Sequence, residues 1–119
     1  MPKQEKEFFL SDNIDWNESS ICENERTLLY KTKILTEDKI TGDKTLILYF
    51  LPNYLSGKHI ITHDYWEEVY ILDGELKDIT LRKTFKKDYY ACRPPSMKHG
   101  PYEVGMKGCK MLVTIKYNN

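Results

Sequence analysis

Long apolar runs are missing from this 119-residue chain, and none approaches the roughly 20 residues that a membrane-spanning helix requires. The opening Met1-Pro-Lys-Gln-Glu-Lys-Glu7 has no hydrophobic signal core, so a cytoplasmic location is expected. Net charge is also missing. Eighteen basic residues balance eighteen acidic ones, which leaves no global field to attract nucleic acid or an anionic membrane. The Lys86-Lys87 pair has acids nearby and reads as solvated surface. Cysteine is sparse: Cys22, Cys92 and Cys109 are an odd number at wide spacing, which excludes a disulfide framework and a zinc ribbon. Each is expected to be a small buried residue rather than a nucleophile. Helical periodicity is hard to find, and there is no internal repeat. The length allows one hydrophobic core and leaves no room for a second.

Aromatics are plentiful, with nine Tyr, four Phe and two Trp, and together with Val, Ile and Thr they favour strands. Residues 1–25 read as an arm and loop, with the polar stretch Ser11 to Glu25 irregular and Trp16 tucked onto the body as an anchor. Strands are expected over Arg26 to Leu35 and Lys44 to Leu51, joined as a hairpin through Thr41-Gly42-Asp43. Lys58 to His63 is expected as a short strand, and Glu67 to Leu72 as another that Asp73-Gly74 closes into a hairpin, with the chain returning over Glu75 to Phe85. Tyr89 to Arg93 leads into the rigid Pro94-Pro95 corner. Cys109 to Tyr117, with alternating Met111, Val113 and Ile115, is the last strand. Seven or so short strands with frequent turns predict an all-β sandwich or barrel over residues 26–117.

The chemistry concentrates between His63 and His99. Strand side chains alternate between faces, so Glu67, Val69 and Ile71 share one face, and Glu68, Tyr70 and Leu72 the other. Periodicity alone permits either Glu67 or Glu68 to face the interior. On an extended chain His59, Ile61 and His63 also share a face. Two imidazoles and a carboxylate form a donor set that a divalent iron, manganese, nickel or zinc ion accepts, with coordination positions left open. The ligating imidazoles would need a further acceptor to fix their tautomers. Read blandly, Glu67-Glu68 is a solvated strand start and each His an ordinary hydrogen-bonding residue; it is the set of three that points to a metal.

These residues resemble the cupin superfamily, whose two motifs carry a Gly, His-x-His, three or four residues, Glu, six residues, Gly, and a second stretch with Gly, five residues, Pro-x-Gly, two residues, His. Three residues separate His63 from Glu67 here, six separate Glu67 from Gly74, and Asp88, Pro94-Pro95-Ser96 and His99 keep the second spacing. Glu68-Val-Tyr-Ile-Leu-Asp-Gly74 and Arg93-Pro-Pro-Ser-Met-Lys-His99 are similar to the ChrR-like and acetylacetone-dioxygenase-like single-domain cupins. The resemblance implies a small double-stranded β-helix, the cupin jelly-roll barrel. It implies metal ligation by His63, Glu67 and His99, and so places Glu67 inward. Two motif glycines fall on Asp88 and Ser96. The motif's first His falls on Ile61. That departure leaves three readings: a three-ligand site, a site that His59 completes from the same face, or a site whose metal binding has decayed.

The resemblance further implies one divalent transition metal ion and a small-molecule substrate, with dioxygen-dependent cleavage of a diketone or hydroxyketone as the expected reaction. Tyr65 and Tyr90 are the candidates for orienting the substrate. A ligand-binding sensor cupin without turnover is the alternative. A homodimer is expected, through Lys44 to Leu51 as an edge strand or through an arm carrying Phe8-Phe9.

Overall fold

The computed structural model describes residues 2–20 and 28–117. One turn of 3₁₀ helix, Ser11–Asn13, precedes eight strands: β1 (Asn17–Ser20), β2 (Leu28–Glu37), β3 (Lys44–Phe50), β4 (Trp66–Asp78), β5 (Lys83–Lys86), β6 (Tyr90–Arg93), β7 (Tyr102–Glu103) and β8 (Cys109–Lys116). Among the described residues there is no α-helix, and no helix is long and apolar enough to cross a membrane. The protein is all-β, as its β-branched and aromatic content requires.

The larger sheet runs β1-β2-β3-β8-β4-β6, antiparallel throughout. The second half of β4 leaves that sheet and pairs instead with β5 and β7. β4 is thus the corner of the fold, and its burial alternates strictly at first: Glu67, Val69 and Ile71 buried, Trp66, Glu68 and Tyr70 exposed. Cross-strand pairs then build the core. Val69 lies opposite Val113, Ile71 opposite Met111, and Leu46 opposite Val113. Each such buried aliphatic side chain contributes about 1.5–3 kcal/mol relative to exposure.

Several sequence expectations change. Asp73-Gly74 does not close a hairpin. Gly74 sits beside an irregularity in the β4–β8 register between Ile71 and Asp73, at φ +81°, and the strand continues to Asp78 before it turns. A left-handed residue next to a bulge bends a strand without ending it, so a Gly preceded by Asp signals a corner here. Lys58 to His63 is not a strand; only Ile61 bridges, to His99. Part of the stretch read as loop is strand β1, whose Asn17, Glu18 and Ser19 pair with Thr32, Lys31 and Tyr30. Residues 21–25, with Cys22, lie outside the described residues. Trp16 does sit on the body: its ring meets Tyr49 at 6.2 Å, and the Lys33 ammonium lies 4.4 Å from its centroid. β3 is not an edge strand, because β2 and β8 flank it. The arm itself is tied down by Lys3 to Thr45, Gln4 to Thr36 and Glu37, and Lys6 to the Leu35 carbonyl, and it leaves Phe8 fully exposed.

Cysteine burial divides. Cys109 is buried on β8, and burial pushes its thiol up to about 12. Cys92, expected to be buried, is exposed on β6 because the period of two that turns Arg93 inward turns its neighbour out. Iodoacetamide at pH 8 should therefore alkylate Cys92 at least ~10-fold faster than Cys109 in the folded protein. Peptide mass spectrometry over time checks this; equal rates would contradict the assigned faces of β6 and β8.

Candidate metal centre

Backbone pairing brings two distant segments together. Ile61 and His99 exchange both backbone hydrogen bonds, at 2.8 and 3.0 Å, and Ser96 N–H donates to the His63 carbonyl at 2.8 Å. The turn before His99 holds Ser96 at φ +70°, and Asp88 before β6 is at φ +75°. These are the two positions where the cupin motif has glycine, and the backbone keeps the left-handed conformation that glycine favours. Pairing with His99 carries His63 alongside it, and β4 presents Glu67 four residues later, on its buried face.

One ligand atom from each of His63, Glu67 and His99 can be chosen so that all three lie within 4.8 Å of one another. His63 Nε2 and Glu67 Oε2 are 4.0 Å apart, and the two imidazole centroids 5.0 Å. Ligands held about 2.1 Å from one tetrahedral ion stand about 3.4 Å apart, so the three side chains would have to close in by up to about 1.4 Å to chelate it. Among the described residues, His59 is exposed and outside this group. Ile61 packs its side chain against the core, so its position supplies no donor.

A network around the three residues fixes their orientation. Arg93 stands directly opposite Glu67 in the β4–β6 register. Its Nη1 donates to Glu67 Oε1 at 2.7 Å and its Nη2 to the Tyr102 hydroxyl at 2.7 Å. The same hydroxyl meets His99 Nδ1 at 2.8 Å. Arg93 thus engages one carboxylate oxygen and leaves Oε2 facing His63. The second nitrogen of His99, Nε2, is buried and has no hydrogen-bond partner. Burial, then the charge of Arg93 and the neighbouring His63, lower the His99 pKa to about 4. At neutral pH the ring is therefore uncharged, the form that binds metal. With Nδ1–H donating to Tyr102, Nε2 keeps its lone pair free for a metal. A buried nitrogen without a partner is costly in a folded protein, and a cation among these donors removes the cost. The residues present fit a divalent transition metal.

The two tyrosines named from the sequence separate. Tyr65 stacks on the His63 ring at 4.6 Å and 9° between planes and meets Tyr117 edge-on. Burial and the nearby Glu67 carboxylate raise its hydroxyl to about 12, so it stays a neutral phenol. Tyr90 is more than half exposed, and its hydroxyl donates to Glu68 on the outward face of β4, a bond that raises its pKa. Tyr90 nevertheless lines the cavity beside the three candidate ligands. Arg93 and Tyr102 were not foreseen. The available signal was the alternation along β6, which puts Arg93 on Glu67's side of the sheet once the register is known.

Beside the group lies a cavity of about 260 Å³. Val69, Ile71, Leu76, Phe85 and Met97 form most of its apolar wall, and Arg93, His99 and Tyr102 stand at its polar end.

No protein-family model and no curated protein matches the sequence. Solved structures do resemble the fold. An RmlC-like cupin from Shewanella frigidimarina superposes with a TM-score of 0.69 at 14% identity, over 100% of this chain and 96% of that one. A putative dioxygenase from Nostoc punctiforme gives 0.72 at 22% identity over 90% of this chain and 35% of the other. An acetylacetone dioxygenase from Acinetobacter johnsonii gives 0.65 at 15% identity over 95% and 74%. The chain has the cupin jelly-roll fold.

Proposed function

We propose that this cupin-fold chain is a metal-dependent enzyme acting on a small organic molecule, and that the reaction is dioxygen-dependent cleavage of a diketone or hydroxyketone. The observation that carries the reading is the buried, unpartnered Nε2 of His99 in a group with His63 and Glu67. Similarity to structures described as dioxygenases adds support for the reaction class. His63, Glu67 through Oε2, and His99 through Nε2 are the proposed ligands. The bound ion, of the iron, manganese, nickel or zinc type, supplies Lewis acidity and, as iron(II), a place for dioxygen to react.

The chain's own residues do the remaining work. Arg93 holds the Glu67 carboxylate in one orientation through a charge-assisted hydrogen bond. Tyr102 fixes the His99 ring. Tyr65 packs flat on His63 and limits its rotation. The apolar cavity takes the body of the substrate and excludes water from the polar end.

Two features favour a second reading, a binding or sensor module without turnover. Ile61 stands where the cupin motif has its first His, and Arg93 occupies half of the one carboxylate. Oxygen uptake separates the two. With iron(II) added, a panel of β-diketones and hydroxyketones should include at least one compound that drives oxygen consumption at least ~10-fold above the His63→Ala variant. Rates equal to that variant across the panel would reject the oxygenase reading, and tight binding without conversion would establish the sensor.

A further inference from the structure

The cavity wall is uneven in a way that specifies its ligand. Its apolar part, including Val69, Ile71, Leu76 and Met97, has no hydrogen-bonding demand. The one acidic residue in the wall, Asp78, is buried and already committed: Oδ1 accepts from Leu81 N–H at 2.9 Å and Oδ2 from Gly100 N–H at 3.3 Å. Thr80 is committed as well, donating to the Gly100 carbonyl at 2.7 Å. Glu67 and His63 are not in the wall. The cations that remain are Arg93 and Lys98. A guanidinium carries five N–H donors; Arg93 gives one to Glu67 and one to Tyr102 and so keeps three for a ligand.

We infer that the cavity binds small organic anions, with a carboxylate or enolate head on Arg93 at the polar end and an apolar body among Val69, Ile71, Leu76 and Met97. The inference deepens the proposed function and rests on this cavity being its substrate chamber. Charge counting agrees. Arg93 offsets Glu67, and a bound divalent ion would outweigh the buried Asp78 carboxylate in the wall, leaving one net positive charge for a ligand to balance.

The probes are hexanoate and its neutral counterpart hexanamide, of nearly equal shape, titrated at constant pH into the protein with and without zinc while side-chain methyl resonances are followed. Hexanoate should bind at least ~10-fold tighter than hexanamide, the range expected of a charge-assisted hydrogen bond. The shifted methyls should be those of Val69, Ile71, Leu76 and Met97. Arg93→Met should bring the acid to within about threefold of the amide, whereas Lys98→Met on the exposed rim should preserve the preference. Equal affinities in the unaltered protein, shifts outside the cavity, no binding of either probe, or a preference that survives Arg93→Met would each overturn the inference. The comparison of acid with amide requires no variant, so it stands even if Arg93→Met fails to fold. An acid preference in chelated protein that takes up no metal would separate failure of the metal reading from failure of this one.

Discussion

Replacing Gly74 by alanine is expected to destabilise the protein by about 4 kcal/mol, a large effect for a single methyl group. Two costs combine. At φ +81° an L-residue is strained, typically by about 1–2 kcal/mol. The added Cβ would also stand 2.1 Å from the Gly108 carbonyl oxygen and 3.0 Å from Cys109 Cα. Both obstacles are backbone, so no side-chain rotation relieves the clash. Relief requires parting β4 from β8 where Gly74 pairs with Cys109, at the corner where β4 passes from one sheet to the other. Gly105 is the control, since a Cβ there meets nothing within 4 Å, and Gly105→Ala should change stability by less than about 0.5 kcal/mol. Urea unfolding of the two variants measures the contrast, and comparable midpoints would remove Gly74 from its role as the corner.

His99→Ala is expected to lower affinity for a divalent transition metal by about 100-fold or more. Loss of a group that merely orients a ligand costs about 10- to 100-fold, and loss of the ligand itself should exceed that. Tyr102→Phe, which keeps the ring and removes the hydroxyl that meets Nδ1 at 2.8 Å, should fall in the lower range of about tenfold. His59→Ala should have no effect, since that side chain is exposed and apart from the group. Competition titrations with a chromogenic chelator rank the three variants. The backbone bridge between residues 61 and 99 does not involve the imidazole, so His99→Ala should retain the fold. An order in which His59→Ala weakens binding as much as His99→Ala would contradict the assignment.

Strand content was legible because alternation along β4 is strict and its apolar residues are β-branched, whereas alternation alone allowed Glu67 or Glu68 inward and the resemblance to the cupin motif chose Glu67. His63, Glu67 and His99 stood out through their spacing, which the backbone geometry at Asp88 and Ser96 respects even though neither is glycine. The corner at Gly74 was misread because a bulge glycine and a hairpin glycine share the same local chemistry; the distinction lies in Gly108 and Cys109, far along the chain. Strand β1 was hidden because Asn17, Glu18, Ser19 and Ser20 have low strand propensity and take their pairing from β2. Arg93 was invisible for a related reason. An arginine beside two prolines reads as surface until the register sets it opposite Glu67. Tyr90 lines the cavity while its hydroxyl is engaged by Glu68, a pairing that only the β4–β6 register reveals.

Anomalous diffraction from crystals soaked with manganese or zinc, recorded at the metal's absorption edge, tests the proposed centre most directly. The account predicts one peak per chain, within about 2.3 Å of His63, Glu67 and His99 together, with Arg93 still on the far carboxylate oxygen. A peak elsewhere, or none at saturating metal while the His99 nitrogen keeps no partner, would contradict it.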